Sequence, residues 1–162
     1  MKGLVKGIVL VLIALMAGIQ IARPERVSES GDPLETFRSE GDDVEALATL
    51  ERSCLDCHSR STDWPWYTNV APVSWWIADH VQHAQGHLNF SDWETYPSRK
   101  KQELLEEICE EITKKAMPFD SYTWIHRDAI LSEDEIEELC QWTRMESDRL
   151  ADRPTTANDD ES

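Results

Sequence analysis

The stretch Cys54-Leu55-Asp56-Cys57-His58 decides how this chain is read. Cys-x-x-Cys-His is the pattern of covalent haem attachment. The spacing has a physical reason. Two thiols add to the two vinyl groups on one edge of a porphyrin, and the adjacent imidazole then lies under the iron as its proximal ligand. Other uses of Cys-x-x-Cys fit less well. A thioredoxin-like redox pair follows a strand and opens a helix, whereas here a helix leads in. A zinc site needs a second pair of ligands, and no second Cys-x-x-Cys follows. Cys54 and Cys57 are therefore the expected thioether positions and His58 the expected proximal ligand. The cofactor this implies is haem c with its iron.

Upstream, Lys2 and Lys6 precede an apolar run from Gly7 to Ala22 that only Gln20 interrupts. As a helix that run rises about 24 Å, short of a hydrocarbon core of about 30 Å; counted from Gly3, with Lys6 snorkelling to the headgroups, it reaches about 30 Å. No small-x-small cleavage site precedes Arg23-Pro24, and the run holds no lipid-acceptor cysteine. Residues 1–23 are thus expected to form an uncleaved signal anchor, one transmembrane helix, with a cleaved signal peptide as the alternative. Arg23 and Arg26 on the far side leave the orientation open by charge alone. The haem motif breaks the tie, because apo-chain and haem are joined beyond the cytoplasmic membrane. That puts the domain on the periplasmic side, held by a single pass.

Residues 24–41 are polar, contain two prolines, and read as a linker. Asp42 or Asp43 suits an N-cap. Val44, Leu47, Leu50 and Cys54 then recur at helical spacing, so a first helix is expected over 43–57. Residues 59–71, with Pro65 and Asn69, form a loop. Pro72 suits the first position of a helix over 72–86 that carries Trp75, Trp76, Ile77 and Val81 and stops at Gly86. Ser91-Asp92-Trp93-Glu94 has capping-box form, limited to one turn by Pro97. A helix over 98–115 carries Leu104, Leu105, Ile108 and Ile112 on one face. Glu103, Glu106, Glu107, Glu110 and Glu111 form a solvated face opposite. Residues 117–131 are irregular. Ser132-Glu133-Asp134-Glu135 is a second capping box, opening a helix to about 147 that buries Ile136, Leu139, Cys140 and Thr143. The helix ending at Cys54 should pack on that last helix, with Val44, Leu47 and Leu50 meeting Ile136 and Leu139. No stretch alternates as a strand. The expected fold is all-α, a cytochrome c-like helical domain over 42–147 with a disordered acidic tail over 148–162.

The sixth iron position falls to Met117. It lies about sixty residues after the motif, follows a helix, and precedes Pro118, which bars the helix from continuing. A thioether ligand raises the reduction potential. Met16 lies in the anchor and Met145 near the end of the last helix, which leaves Met117 as the well-placed sulfur; a Met packed in the core is the plainer alternative. His80, His83 and His87 share a helical face and are rivals for the iron or for a surface metal, although solvated imidazoles are commoner. His126 is a candidate to bridge a propionate. Cys109 and Cys140 lie on the apolar sides of two helices and are read either as a disulfide or as two small buried side chains.

Several separate blocks resemble one family. They are Cys54-Leu55-Asp56-Cys57-His58-Ser59, Trp64-Pro65-Trp66-Tyr67, Ala71-Pro72-Val73-Ser74-Trp75, His87-Leu88-Asn89-Phe90-Ser91-Asp92-Trp93, and Met117-Pro118 followed by Tyr122. With Leu131-Ser132 and a helix reaching Trp142, this order over roughly residues 20–145 resembles the bacterial haem-binding domain family. The resemblance implies an anchored, exported variant of cytochrome c, with covalent haem on Cys54 and Cys57, His58 as proximal ligand and Met117 as distal ligand. One departure is Lys114-Lys115-Ala116 before Met117, where members of the family tend to carry a Gly.

Composition narrows the partners. Thirty-two acidic side chains face 16 basic ones, for a formal net charge of −16. Phosphate binding needs clustered Lys and Arg, so nucleic acid is excluded as a partner. The acidic surface suits a redox protein with a basic docking face. Of seven tryptophans, five (Trp64, Trp66, Trp75, Trp76 and Trp93) fall between residues 64 and 93. Such density implies a tight aromatic core or a large flat apolar object to pack against. The leading expectation is a one-electron carrier that needs no bond-making side chains. The alternatives are a haem peroxidase, a gas or redox sensor with an open sixth position, and a thiol or zinc module built on Cys54 and Cys57.

Overall fold

The computed structural model describes residues 1–40 and 44–152, with the backbone alone for residues 39 and 40. Among the described residues there are helices and no strand, so the fold is all-α. α1 (Lys2–Ile19) is apolar from Gly7 onward, has no buried residue, and is long and apolar enough to cross a membrane. α2 (Glu35–Glu40) lies within the stretch read as a linker. Leu34 and Phe37 there are fully buried. Phe37 sits in an aromatic cluster, 5.3 Å from both Trp93 and Trp142 and 6.4 Å from Phe90, centroid to centroid. Two isolated apolar residues in a polar stretch have no periodicity, which is why their burial was not legible.

The helix expected over 43–57 is two pieces. α3 (Val44–Ser53) ends at Cys54, whose φ of −124° leaves the helical region, and the single turn α4 (Leu55–His58) follows. The expected caps Asp42 and Asp43 lie outside the described residues. α5 (Val73–His87) starts one residue after Pro72, which caps it from outside, and runs one residue past Gly86. A 3-10 turn, Phe90–Thr95, is capped by the Asn89 side chain accepting from Ser91 N–H, and not by the expected box. α6 (Ser98–Thr113) buries Leu104, Leu105 and Ile112. α7 (Asp120–Thr123) is one turn within the segment expected to be irregular. α8 (Glu133–Asp152) runs past the expected end at 147 because Glu146 and Leu150 are still buried on it. Residues 148–152 are therefore helix and not tail; residues 153–162 lie outside the described residues.

The capping box of α8 forms as expected. Ser132 N–H and Oγ–H donate to Glu135 Oε2 at 2.7 and 2.8 Å, and Glu135 N–H donates back to Ser132 Oγ at 3.3 Å. These bonds, with Arg52 at 2.7 Å, hold the Glu135 carboxyl down at about 2. The Arg52 pair also joins α3 to α8, and Leu47, Leu50, Ile136 and Leu139 share one core behind it. Val44 does not join them: it is 75% exposed at the first turn of α3. α6 packs along α8, and the two are joined by a disulfide between Cys109 and Cys140, whose Cα atoms lie 4.8 Å apart.

Candidate functional site

The core of α3, α6 and α8 leaves one large cleft beside it, of about 710 Å³. That lies within the range of about 300–1,000 Å³ usual for cofactor sites. Leu50, Phe90, Leu104, Ile108 and Ile112 give it apolar walls. Cys54, Cys57, His58 and Met117 all line it. The sequence puts the first three in one motif; only the fold brings Met117 to them.

Cys54 and Cys57 are free thiols. Burial pushes the Cys54 thiol up to about 12, with a smaller effect from Cys57, and burial followed by the Asp56 charge pushes Cys57 up to about 11. Both are uncharged at neutral pH and add no charge to an apolar cleft. The His58 ring is held by backbone: its Nδ1 lies 3.1 Å from the Leu88 carbonyl, and Ala84 backbone also bonds the ring. A carbonyl only accepts, so Nδ1 carries the proton and Nε2 keeps a free lone pair. Burial lowers the imidazole pKa, which keeps the ring neutral. A neutral ring oriented through its second nitrogen is the state in which histidine binds a metal. The residues present therefore fit a haem.

The opposite wall hangs from the end of α6. Lys115 N–H donates to the Ile112 carbonyl at 3.0 Å and Ala116 N–H to the Glu111 carbonyl at 3.0 Å. These are the paired bonds of a Schellman turn. They require a left-handed residue between them, and Lys115 takes that place with φ 57°. A glycine would take it freely, and a lysine pays about 1 kcal/mol. The turn delivers Met117, which packs partly buried against the core. Phe119 and Tyr122 follow on the same wall.

One connection between the walls was not expected. Tyr122 O–H donates to Asp56 Oδ2 at 2.7 Å, inside the Cys-x-x-Cys-His loop. Burial and that bond push the Tyr122 phenol well above its ordinary value. His126 stacks on Tyr122, 4.3 Å between centroids at 10°, and bonds Tyr67 OH at 2.8 Å through Nε2. Asp56 was an unspecified position of the motif, and nothing local marks its partner sixty-six residues away. His126 thus braces the wall that carries Met117 and is not among the residues lining the cleft.

His80, His83 and His87 also line the cleft, with Asp79, Glu107, Glu110 and Glu111. Part of the acidic face expected to be merely solvated is therefore the rim of the site. His80 and His83 give Nδ1 to the carbonyls of Trp76 and Asp79 at 2.9 and 2.7 Å, and His87 Nε2 meets Glu107 at 2.8 Å. His83 and His87 stand as His-x-x-x-His, a spacing that zinc sites use. Among the described residues, however, no three His, Cys, Asp or Glu side chains converge to hold a metal ion.

In comparison with known proteins, the haem-binding domain family matches this chain over residues 14–145, most of its length and all of the cleft. No curated protein matches the chain, and no solved structure does.

Proposed function

We propose that this chain, which belongs to the haem-binding domain family, is a membrane-anchored c-type cytochrome with one haem that passes single electrons on the exported side of the membrane. One observation carries the reading: Cys54, Cys57, His58 and Met117 line a single apolar cleft, with the His58 ring turned by the Leu88 carbonyl so that Nε2 is free. Bound haem would supply a one-electron iron couple. Cys54 and Cys57 would hold it by thioethers, His58 would ligate its iron through the imidazole, and Met117 would supply a thioether ligand, which favours the reduced metal. Tyr122, bonded to Asp56, ties the Met117 wall to the motif beside that cleft. The acidic rim of Asp79, Glu107, Glu110 and Glu111 suits a basic redox partner.

α1 supports the anchor by length and composition. The Cys109–Cys140 disulfide supports an oxidising compartment, and so the periplasmic side. The deciding experiment is a haem stain after denaturing electrophoresis, on chain made with a cytochrome c maturation system. The wild type retains the stain, and the Cys54→Ala, Cys57→Ala double variant loses it while the polypeptide is still made. Stain that persists in the double variant defeats the covalent reading.

A second reading keeps the haem and changes its use. His80 and His83 stand in the same cleft as Met117, and an open or displaceable sixth position would make the domain a peroxidase or a gas or redox sensor. A ferrous wild type that binds carbon monoxide at once favours this second reading; a six-coordinate, unreactive iron favours the electron carrier.

A further inference from the structure

The end of α1 and the helical domain are joined without slack. Gln20, the residue after α1, grips Ala71 on both sides: its Nε2 donates to the Ala71 carbonyl at 3.1 Å, and its Oε1 accepts from Ala71 N–H at 2.9 Å. The Trp75 indole N–H donates to the Ala22 carbonyl at 2.5 Å. Arg26 donates to Asn69 Oδ1 at 3.1 Å and to the Thr68 carbonyl, with its guanidinium 4.6 Å from the Trp64 ring centre. Glu29 N–H donates to the Arg60 carbonyl at 2.8 Å. Connectivity therefore fixes what this face meets. If α1 lies in a bilayer, residues 68–75 lie where α1 leaves it.

The same edge exposes side chains that water does not favour. Trp66, Val70, Val73, Trp75 and Trp76 are 78, 43, 45, 38 and 49% exposed. By contrast, Trp93 and Trp142 are 3 and 1% exposed. Indoles concentrate at the headgroup level of membranes, where one part of the ring is apolar and its N–H is wet. At the junction itself, a small cleft of about 150 Å³ has Arg23, Arg26, Asn69 and Ser74 in its lining, a basic and hydrogen-bonding set that suits headgroup phosphates. Asp79 is the one acid on α5, and the larger acidic runs are on α6 and α8.

We infer that the edge formed by Trp66, Val70, Val73, Trp75 and Trp76 is a bilayer seat, resting in the headgroup layer of the membrane that α1 crosses, and that the Gln20 clamp holds the haem domain on it in one orientation. The inference rests on the reading of α1 as a membrane span. It has a consequence for the site. α5 begins at the seat, and Asp79, His80 and His83 further along it line the cleft. From Trp76 to His83 a helix rises about 10 Å. The mouth of the cleft is thus held near the bilayer surface, where a membrane-bound partner reaches it.

The test uses the full-length haem-loaded protein in phosphatidylcholine vesicles, plain or brominated near the headgroup end of the acyl chains. α1 contains no tryptophan, so bromine quenching reports only on the domain. The wild type loses at least about a third of its tryptophan emission in brominated vesicles, and the Trp75→Phe, Trp76→Phe variant loses less than about half as much. An unchanged haem spectrum certifies the variant's fold. Should the double variant not fold, Trp76→Phe alone, which leaves the Trp75 bond to Ala22 in place, is read the same way. Protein that floats with the vesicles yet shows no bromine quenching overturns the seat and leaves the anchor standing. Quenching that both variants retain in full also overturns it. Protein that stays in solution overturns the seat and the anchored reading together.

Discussion

The two walls of the cleft are built differently. The wall that carries Cys54, Cys57 and His58 has its back to the core: Leu47, Leu50 and Leu55 are buried beneath it, and Arg52 ties it to Glu135 on α8. The wall that carries Met117 hangs from a Schellman turn, and its later side chains stand open, with Phe119 46% and Trp124 71% exposed. Tyr122 to Asp56 is the hydrogen bond that joins the second wall to the first at the haem motif. The groups proposed to hold haem permanently thus sit where movement would open the core. The proposed exchangeable ligand sits where the chain can be altered without unfolding.

The sharpest way to break that contrast is Met117→Ala. With haem held as proposed by Cys54, Cys57 and His58, it should stay attached, because those residues are untouched. Any sulfur-to-iron charge-transfer band disappears, the potential falls, and carbon monoxide or cyanide binds readily. A spectrum identical to wild type instead gives the iron to His80, His83 or His87, or to no distal ligand. Behind the first wall the expected outcome is the reverse, with stability lost before spectrum. Leu139 is fully buried there, and Leu139→Ala should cost about 2–5 kcal/mol in denaturant unfolding.

Acid should weaken the first wall selectively. The Glu135 carboxyl sits at about 2 when folded, below its ordinary 4.5. Its contribution is therefore complete above pH 4.5 and is lost as the pH falls through about 2. Glu135→Gln should remove about 1–2 kcal/mol at neutral pH and flatten the acid limb of the stability profile. The smallest effect belongs to the bond between the walls. Tyr122→Phe should cost about 1 kcal/mol, since the bond is to a carboxylate but only partly buried, and should raise the ligand-exchange rate at the distal position more than it lowers stability. Stopped-flow cyanide binding separates the two effects.

Legibility in the sequence followed the range of the interactions. The Ser132–Glu135 capping box, the apolar stripe of α6 and the Cys-x-x-Cys-His motif are made by residues within a few positions of one another, and each is visible in the string. The break at Cys54 was not. Helix periodicity runs straight through it, and the backbone leaves the helical region there at φ −124°. Met117 was nominated by its proline and its place after a helix, but its presence in the cleft depends on α6 returning the chain to the motif. Leu34 and Phe37 were missed because their neighbours are polar.

By itself, the sequence determined that this chain is helical, that an apolar helix precedes it, and which residues have the chemistry to take haem. Those properties reside in local backbone hydrogen bonding, in the 3.6-residue period, and in the reactivity of thiol and imidazole. Only the tertiary structure decided that Cys109 and Cys140 are close enough to bond, which tryptophans are core and which are exposed, and that Tyr122 bridges to Asp56. Each of these depends on where two distant segments meet, and the free energy of that meeting is set by burial shared across the whole fold and not by either segment alone.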